Sequence, residues 1–479
     1  MRRSPLNDFA ADLASFLAVV SVSTVALATW TTASFVQRKL RGVARVTIEN
    51  DEAREGREGR AEVESADVRA ATPKAASAER STPKLNVILV TIDTLRFDLG
   101  FAGYPRPVSP NIDALAAEGV VYENAYATAS FTPKCLGPLL IGRYSSETHR
   151  DYDHYTTFYP ANVFLAERVR SAGGRTVGGA SHRYFGWRTG FDQGMDVWDT
   201  SAIPPKSIDN DPTITSERLT NSAIELLSRA RSADIPEPRS GPAKDRFFAW
   251  FHYLDPHLPY VPHEGAPSFA SMPAPRVPRE RALYDGEVWY TDQQIGRLLS
   301  HIRQQPWADE TAIIVTADHG EAFGERGHWG HGRELWEPLV HVPLVVYVPG
   351  VAPRRIKTKR SHIDIVPTVL ELMGIAEAPE LHGKSLIRDL AGAPEEAEER
   401  DVYIDMPAGP YNEMRRAVIT GPSPGWKLID FGGRYELFDL HADPREARNL
   451  AYANAEQLRK AKEALVRMRA SLRELPPSK

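Results

Sequence analysis

Apolar residues follow two rhythms along this chain. Short unbroken runs rich in β-branched and aromatic residues recur at Val87–Ile92, Phe247–Tyr253, Ala312–Ala317 and Leu344–Val348. A strand covered on both faces requires such a run, because neither side of its pleat meets water. Between the runs, apolar residues return at helical spacing, as Ile214, Leu219, Ile224 and Leu227 do within Thr213–Ala230, and again within Leu283–Ile302. Ser109-Pro110 predicts a helix start, with serine at the N-cap and proline in the first helical position, where its missing N–H costs nothing. Alternation of this kind predicts an α/β fold: a large, mostly parallel sheet sandwiched by helices.

After about Ile375 the texture changes. Short strand-like runs around Val402, Arg416, Trp426 and Glu436 predict a small C-terminal antiparallel sheet. Leu458, Ala461, Leu465, Met468 and Leu472 form the apolar stripe of a closing helix. The expected organisation is therefore an N-terminal segment over 1–45, a disordered linker over 46–84, a metal-dependent catalytic domain over 85–375 and an α+β subdomain over 376–479.

The N-terminal segment carries Leu13–Phe35, 23 residues without a charge, long enough to cross a bilayer. Arg2 and Arg3 before it, and the small-residue site Ala26-Leu27-Ala28 within it, read equally as a signal anchor or a cleaved signal peptide. Arg38, Lys39, Arg41 and Arg45 follow the run and, if it stays uncleaved, argue for a cytoplasmic body. From Glu49 to Lys84 there is no aromatic residue, and Glu, Arg, Ala and Ser predominate. Such a tract cannot bury enough apolar surface to offset its ordering entropy.

Composition narrows the partners. Lys+Arg number 58 against 63 Asp+Glu, a formal charge of -5, which gives no support to nucleic-acid binding. Cys135 is the single cysteine, so neither an internal disulfide nor a cysteine-cluster metal site is available.

Candidate chemistry lies at strand ends. Asp93 follows the Val87–Ile92 run and Asp318 follows Ala312–Ala317, where open α/β sheets collect their ligands. Two carboxylates there repel each other unless a cation lies between them. His319 adds an imidazole, and the set suits one divalent ion (Mg²⁺, Ca²⁺, Mn²⁺ or Zn²⁺), with a second metal allowed. Helix capping is the structural alternative for either aspartate alone. His257 lies just past the Phe247–Tyr253 run, and His331 lies in the Gly-rich loop after Asp318.

Taken together, these segments resemble the sulfatase-like branch of the alkaline phosphatase superfamily from about Leu85 to Ala451. The resemblance rests on Asn86–Arg96, Ser109–Asp113 with Tyr122–Tyr126, Asp255-Pro-His257-Leu-Pro-Tyr260, Tyr284–Val288 with Asp292, Asp318-His-Gly-Glu321 with Gly330-His331-Gly332, and Glu436–Asp439 with Asp443-Pro444. It implies an alkaline phosphatase-like fold, a metal held by Asp93, Asp318 and His319, and a nucleophile ten residues before a glycine that closes its segment. Counting back from Gly142 reaches Thr132, whereas Cys135 is out of register. Lys134, Cys135 and Leu136 stand where the family has Pro-Ser-Arg, and Ile141 stands in place of Thr.

Those departures lead to an expected function: hydrolysis of a phosphate (di)ester or phosphonate, with Thr132 as nucleophile and metal ligand and possible transfer to an alcohol acceptor. A threonine favours phosphorus, because a sulfated threonine would have to be attacked again at sulfur. His257 and His331 are expected to bind the non-bridging oxygens or protonate the leaving group. Lys134 and Arg143 are further candidates for holding the anion, with a solvated loop charge as the alternative for each. Two other readings stand beside this one: a sulfuric ester hydrolase, and a degenerate membrane protein that binds an anion without turnover. The expected partner is an anionic ester such as a lipid headgroup or glycan, with the N-terminal segment meeting the membrane. Resemblance to exported relatives implies a membrane-anchored or exported protein with its catalytic domain outside the cytoplasm, in the periplasm or at the cell surface.

Overall fold

Eight strands form the main sheet: β1 (Asn86–Ile92), β2 (Val120–Tyr122), β3 (Arg175–Ala180), β4 (Val197–Asp199), β5 (Phe247–Tyr253), β6 (Thr311–Ala317), β7 (Leu344–Tyr347) and β8 (Arg354–Ile356). Their spatial order is β8-β2-β7-β6-β1-β5-β3-β4. All neighbours pair in parallel except β7, which runs against both β6 and β2. The computed structural model describes residues 84–151, 157–186, 189–204, 215–231, 240–269, 279–376, 378–392 and 398–476. The Leu13–Phe35 run lies outside the described residues. No helix among those described is long and apolar enough to cross a membrane.

The helices divide between the two faces. They are α1 (Pro110–Glu118), α2 (Thr132–Ile141), α3 (Leu165–Ser171), α4 (Ser216–Arg229), α5 (Arg279–Arg303), α6 (Glu337–Val340) and α7 (Ile365–Leu372). Successive β1 side chains point to opposite sides. Ile88, Val90 and Ile92 join α1, α4 and α5 in one core, whereas Val87 and Leu89 join α2, α3 and α7 in the other. Every β1 residue is buried, which is why the strand reads as an unbroken apolar run.

Helix α1 begins as its sequence predicts, but its cap comes from elsewhere. Ser109 occupies the N-cap position without capping, and its hydroxyl donates to Asp113 Oδ1 at 3.1 Å. Asp292 of α5 instead accepts from the Asn111 and Ile112 amides at 2.8–3.1 Å, tying α1 to α5 across the sheet face. Beyond Ile387–Ala391 (α8), strands β9 (Val402–Met406), β10 (Arg415–Thr420), β11 (Trp426–Asp430) and β12 (Tyr435–Asp439) form an antiparallel meander. Helix α9 (Ala455–Ala470) covers one face of that meander through Ala461, Ala464 and Leu465.

Candidate active site

Strand register brings the two aspartates together. Ile92 pairs with Ala317, so Asp93 and Asp318 leave adjacent strands side by side. The backbone ties continue past the strand ends, from Asp93 N to Tyr253 O at 2.8 Å and from Asp318 N to Ile92 O at 3.3 Å. Ligand atoms of Asp93, Asp318 and His319 lie within 4.8 Å of one another, and all three residues are buried. Thr132, the first residue of α2, brings Oγ1 to 3.2 Å from His319 Nε2 and 3.4 Å from Asp93 Oδ2.

These residues fit a divalent cation. His319 Nδ1 lies 2.9 Å from the Gly320 carbonyl, which can only accept, so Nδ1 carries the proton and Nε2 presents a lone pair. That lone pair points at Asp318 Oδ2 (3.4 Å) and Asp93 Oδ1 (3.9 Å), two buried oxygens that have no hydrogen-bond partner. Three electron-rich atoms facing one another in a buried site are stabilised by a positive charge among them. Burial, with His331 nearby, pushes the His319 ring down to about 3, so it stays neutral. Burial pushes Asp318 up, and the neighbouring Asp93 charge adds to this. Burial also opposes ionisation of Asp93, but His257 and His252 outweigh it and hold that carboxyl well below its usual range.

The turn after β1 is strained. Thr94 sits at φ 55°, an uncommon conformation for a β-branched residue, at a cost of about 1–3 kcal/mol. Its amide donates to Asp318 Oδ1 at 3.1 Å and its carbonyl accepts from Tyr284 Oη at 2.9 Å, which hold it in place.

Two further histidines stand beside the centre. The His331 ring lies 4.5 Å from that of His319 and 5.0 Å from that of His257. His331 Nδ1 meets both oxygens of Glu321 at 3.1–3.2 Å, and Tyr260 Oη donates to Glu321 at 2.8 Å. Burial lowers the His331 pKa, but Glu321 outweighs this and raises it. His257 Nδ1 lies 2.7 Å from the Leu258 carbonyl and so carries the proton, leaving Nε2 available.

Lys134 and Arg143 do not join this group. Lys134 is no loop charge: it is buried in α2, and Nζ donates to Pro407 O (2.8 Å) and Asn412 Oδ1 (2.5 Å) of the segment between β9 and β10. Arg143 follows Gly142 at the far end of α2, about 15 Å along the helix from Thr132, and pairs with Glu147. Cys135 is fully buried, and burial raises its thiol pKa well above the usual range, with the Asp318 charge adding to this. Asp255 is a cap, accepting from the amides of Thr215 and Ser216 at 2.9 Å. The sequence assigned no role to Glu321 or Tyr260, and it grouped His252 with the histidines that leave this sheet edge toward the metal crevice without giving it a role of its own. A polar His252 at the carboxyl edge of an otherwise apolar strand was the available signal.

A family model described as Sulfatase matches residues 85–375. A second, described as N-sulphoglucosamine sulphohydrolase, C-terminal, matches residues 324–474. Choline-sulfatase of Rhizobium meliloti (strain 1021) is 24% identical over 438 residues, covering 78% of this chain and 83% of that protein. Iduronate 2-sulfatase of Homo sapiens is 26% identical over 348 residues, covering 57% of this chain and 61% of that protein, so less than two thirds of its length is spanned. Among solved structures, a protein in complex with its substrate D-glucosamine-2-N,6-O-disulfate superposes with a TM-score of 0.65 at 18% identity, covering 81% of this chain and 98% of that one. At that identity the likeness shows the fold alone.

These relatives overturn the expectation of a phosphate or phosphonate ester hydrolase working through a threonine nucleophile. They are named for sulfuric esters, which favours the reading held as the alternative. The physical reason for the miss is that the spacing to Gly142 locates a position in the site, whereas one side chain there does not fix whether sulfur or phosphorus reacts.

Proposed function

This chain is an ester hydrolase belonging to the sulfatase family through residues 85–375, and from that premise we propose that it hydrolyses the sulfuric ester of an organic alcohol at the Asp93–Asp318–His319 centre. The reaction takes R–O–SO₃⁻ and water to R–OH and hydrogen sulfate, breaking one S–O bond and forming another. The observation that carries the proposal is the charge around the centre. The Asp93 and Asp318 carboxylates would be balanced by one divalent cation, and beside them His331, its pKa raised by Glu321, is paired with that carboxylate. Lys134 and Arg143, the lysine and arginine expected to bind anion, are engaged elsewhere. A nearly neutral site of this kind suits a singly charged ester better than a doubly charged phosphate monoester, and the names of the relatives favour the sulfate ester over the equally charged phosphate diester.

Asp93, Asp318, His319 and Thr132 Oγ1 would hold the ion, and its chemistry there is to draw charge from the sulfuryl oxygens. Mg²⁺, Ca²⁺, Mn²⁺ and Zn²⁺ all suit two carboxylates, a hydroxyl and one imidazole. His257 Nε2 is placed to bind a sulfuryl oxygen. His331, kept protonated by Glu321, gives its proton to the departing alcohol oxygen. Exposed apolar side chains in the segments that carry His257 and His331 support a sugar as the alcohol. Leu258 adjoins His257 and is 43% exposed, and Trp329 lies two residues before His331 and is 53% exposed. An exposed aromatic face such as that of Trp329 suits the C–H face of a pyranose. The name of the human relative and the disulfated glucosamine in the solved neighbour point the same way.

The test is elemental analysis of the purified protein, followed by a panel of matched sulfate and phosphate esters of sugars. Sulfate release exceeding phosphate release is expected. Faster phosphate release would overturn the reading. The Leu13–Phe35 run supports delivery of this site outside the cytoplasm. Full protection from protease in spheroplasts, with cleavage after lysis, would refute that placement.

A further inference from the structure

His252 points the buried edge of its ring at the metal centre from a strand that carries none of the proposed ligands. It occupies β5 opposite Thr91 of β1, two residues before Asp93, and is fully buried. Its Nε2 has no hydrogen-bond partner and lies 3.5 Å from Asp93 Oδ2. The ring's other nitrogen fixes what Nε2 carries. Trp250 Nε1, which can only donate, gives its proton to Thr91 Oγ1 at 3.0 Å. Thr91 Oγ1 lies 2.8 Å from His252 Nδ1. With Trp250 donating to it, and with no other acceptor for its proton among the described residues, the hydroxyl sends its own proton to Nδ1. A neutral ring that accepts at Nδ1 carries hydrogen at Nε2. His252 is therefore the mirror case of His319, whose Nδ1 is protonated and whose Nε2 is bare.

We propose that Trp250, Thr91 and His252 form a hydrogen-bonded relay that aims the His252 Nε2–H at Asp93, in which His252 is a positioning residue that orients the metal-binding carboxylate and is not itself a ligand. The inference rests on the reading of Asp93 as a metal ligand. A donor aimed at Oδ2 turns Oδ1 toward Asp318 and His319, and groups that orient a metal ligand in this way commonly carry about 10–100-fold of metal affinity.

Two measurements on the full chain test the relay. In metal-free protein labelled with ¹⁵N-histidine, long-range ¹H–¹⁵N correlation spectra should show His252 as the Nε2–H tautomer and His319 as the Nδ1–H tautomer, with His252→Gln identifying the signals. Thr91→Val should abolish the single-tautomer pattern at His252. Titration with Mn²⁺, followed by electron paramagnetic resonance, should show His252→Leu binding about 10–100-fold more weakly. His252→Gln should stay within a few-fold of wild type, because its amide places a donor near the Nε2 position. An Nδ1–H tautomer at His252 would overturn the relay and make the residue a ligand. Equal weakening in the Gln and Leu variants would also overturn it. Failure of the wild type to bind Mn²⁺ would sink the metal reading itself, leaving the tautomer result to decide the relay on its own.

Discussion

Thr132 Oγ1 and His319 Nε2 meet 3.2 Å apart, bringing the first residue of α2 onto the turn that follows β6. The contact joins two layers of the fold, since α2 packs on one sheet face while the turn rises from the sheet's carboxyl edge. Its chemistry is one-sided. The Nε2 lone pair can accept the Thr132 proton, or both atoms can face one cation.

Asp318→Asn should separate metal binding from folding. Asp318 is buried beside Asp93, and removing its charge removes the repulsion between them. Metal-free variant protein should therefore melt at or above the wild-type temperature. Divalent ion at about 100 times Kd should stabilise wild type by about 2.7 kcal/mol and the variant by almost nothing. Thermal scans with and without ion check this, and an undiminished ion-induced shift in the variant would remove Asp318 from the centre.

Four of the eight strands of the main sheet and three residues of the candidate site were legible from apolar runs and the polar residues at their carboxyl ends. Strands β1, β5 and β6 appear as unbroken runs, and Asp93, Asp318 and His319 stand where two of those runs end. The direction of β7 was not legible. An apolar run looks the same in either orientation, and β7 follows β6 without the long crossover helix that a parallel neighbour needs. Strand β3 (Arg-Thr-Val-Gly-Gly-Ala) lacks the apolar weight of its neighbours because Trp250 and Asp199 backbone oxygens crowd its two glycines. Lys134 misled for another reason. A lysine three residues into a proline-containing segment suggests a loop, and only the distant Pro407–Asn412 segment, which it bonds, explains its burial.

Gly320→Ala should damage the metal turn through backbone contact. A Cβ there would press into the Pro338 carbonyl oxygen of α6, and the Gly320 amide donates to Leu339 O at 2.8 Å. The turn cannot move away without dragging His319. Overpacking of this kind costs about 1–3 kcal/mol. Denaturant melts should show that loss together with weaker metal binding, whereas Gly103→Ala, strained by its φ of 88° but with open space around it, should lose stability while leaving the metal affinity unchanged.

Lys134 should give the protein an unusual rise in stability with pH. Burial pushes its pKa down from 10.5 to about 7, with Arg150 adding to the effect. Between those values the unfolded chain holds more protons than the native one, so unfolding free energy climbs with pH. The slope approaches about 1.4 kcal/mol per pH unit above neutrality. Urea melts at pH 7, 8 and 9 should show the climb in wild type and a flatter profile in Lys134→Met. Parallel profiles would mean that the ammonium stays charged in the fold through its bonds to Pro407 and Asn412.

The strongest contrast lies within one helical turn, between Thr132 and Cys135. Thr132 opens α2 with its hydroxyl on the centre, whereas Cys135 belongs to the apolar core with Ile92, Ala127 and Val315. A thiol that burial and the Asp318 charge both keep protonated is a poor ligand and a poor nucleophile. Thr132→Val keeps the shape and removes the oxygen, so metal affinity and turnover should fall by about 10–100-fold or more. Thr132→Ser returns an oxygen at the same place and should recover most of that loss. Cys135→Ala leaves a small void worth about 1 kcal/mol of stability and should keep turnover within a few-fold. Mass spectrometry of the peptide spanning both residues should find the cysteine unmodified. An aldehyde at residue 135, or an inactive Cys135→Ala beside an active Thr132→Val, would bring residue 135 into the centre and remove Thr132 from the metal shell.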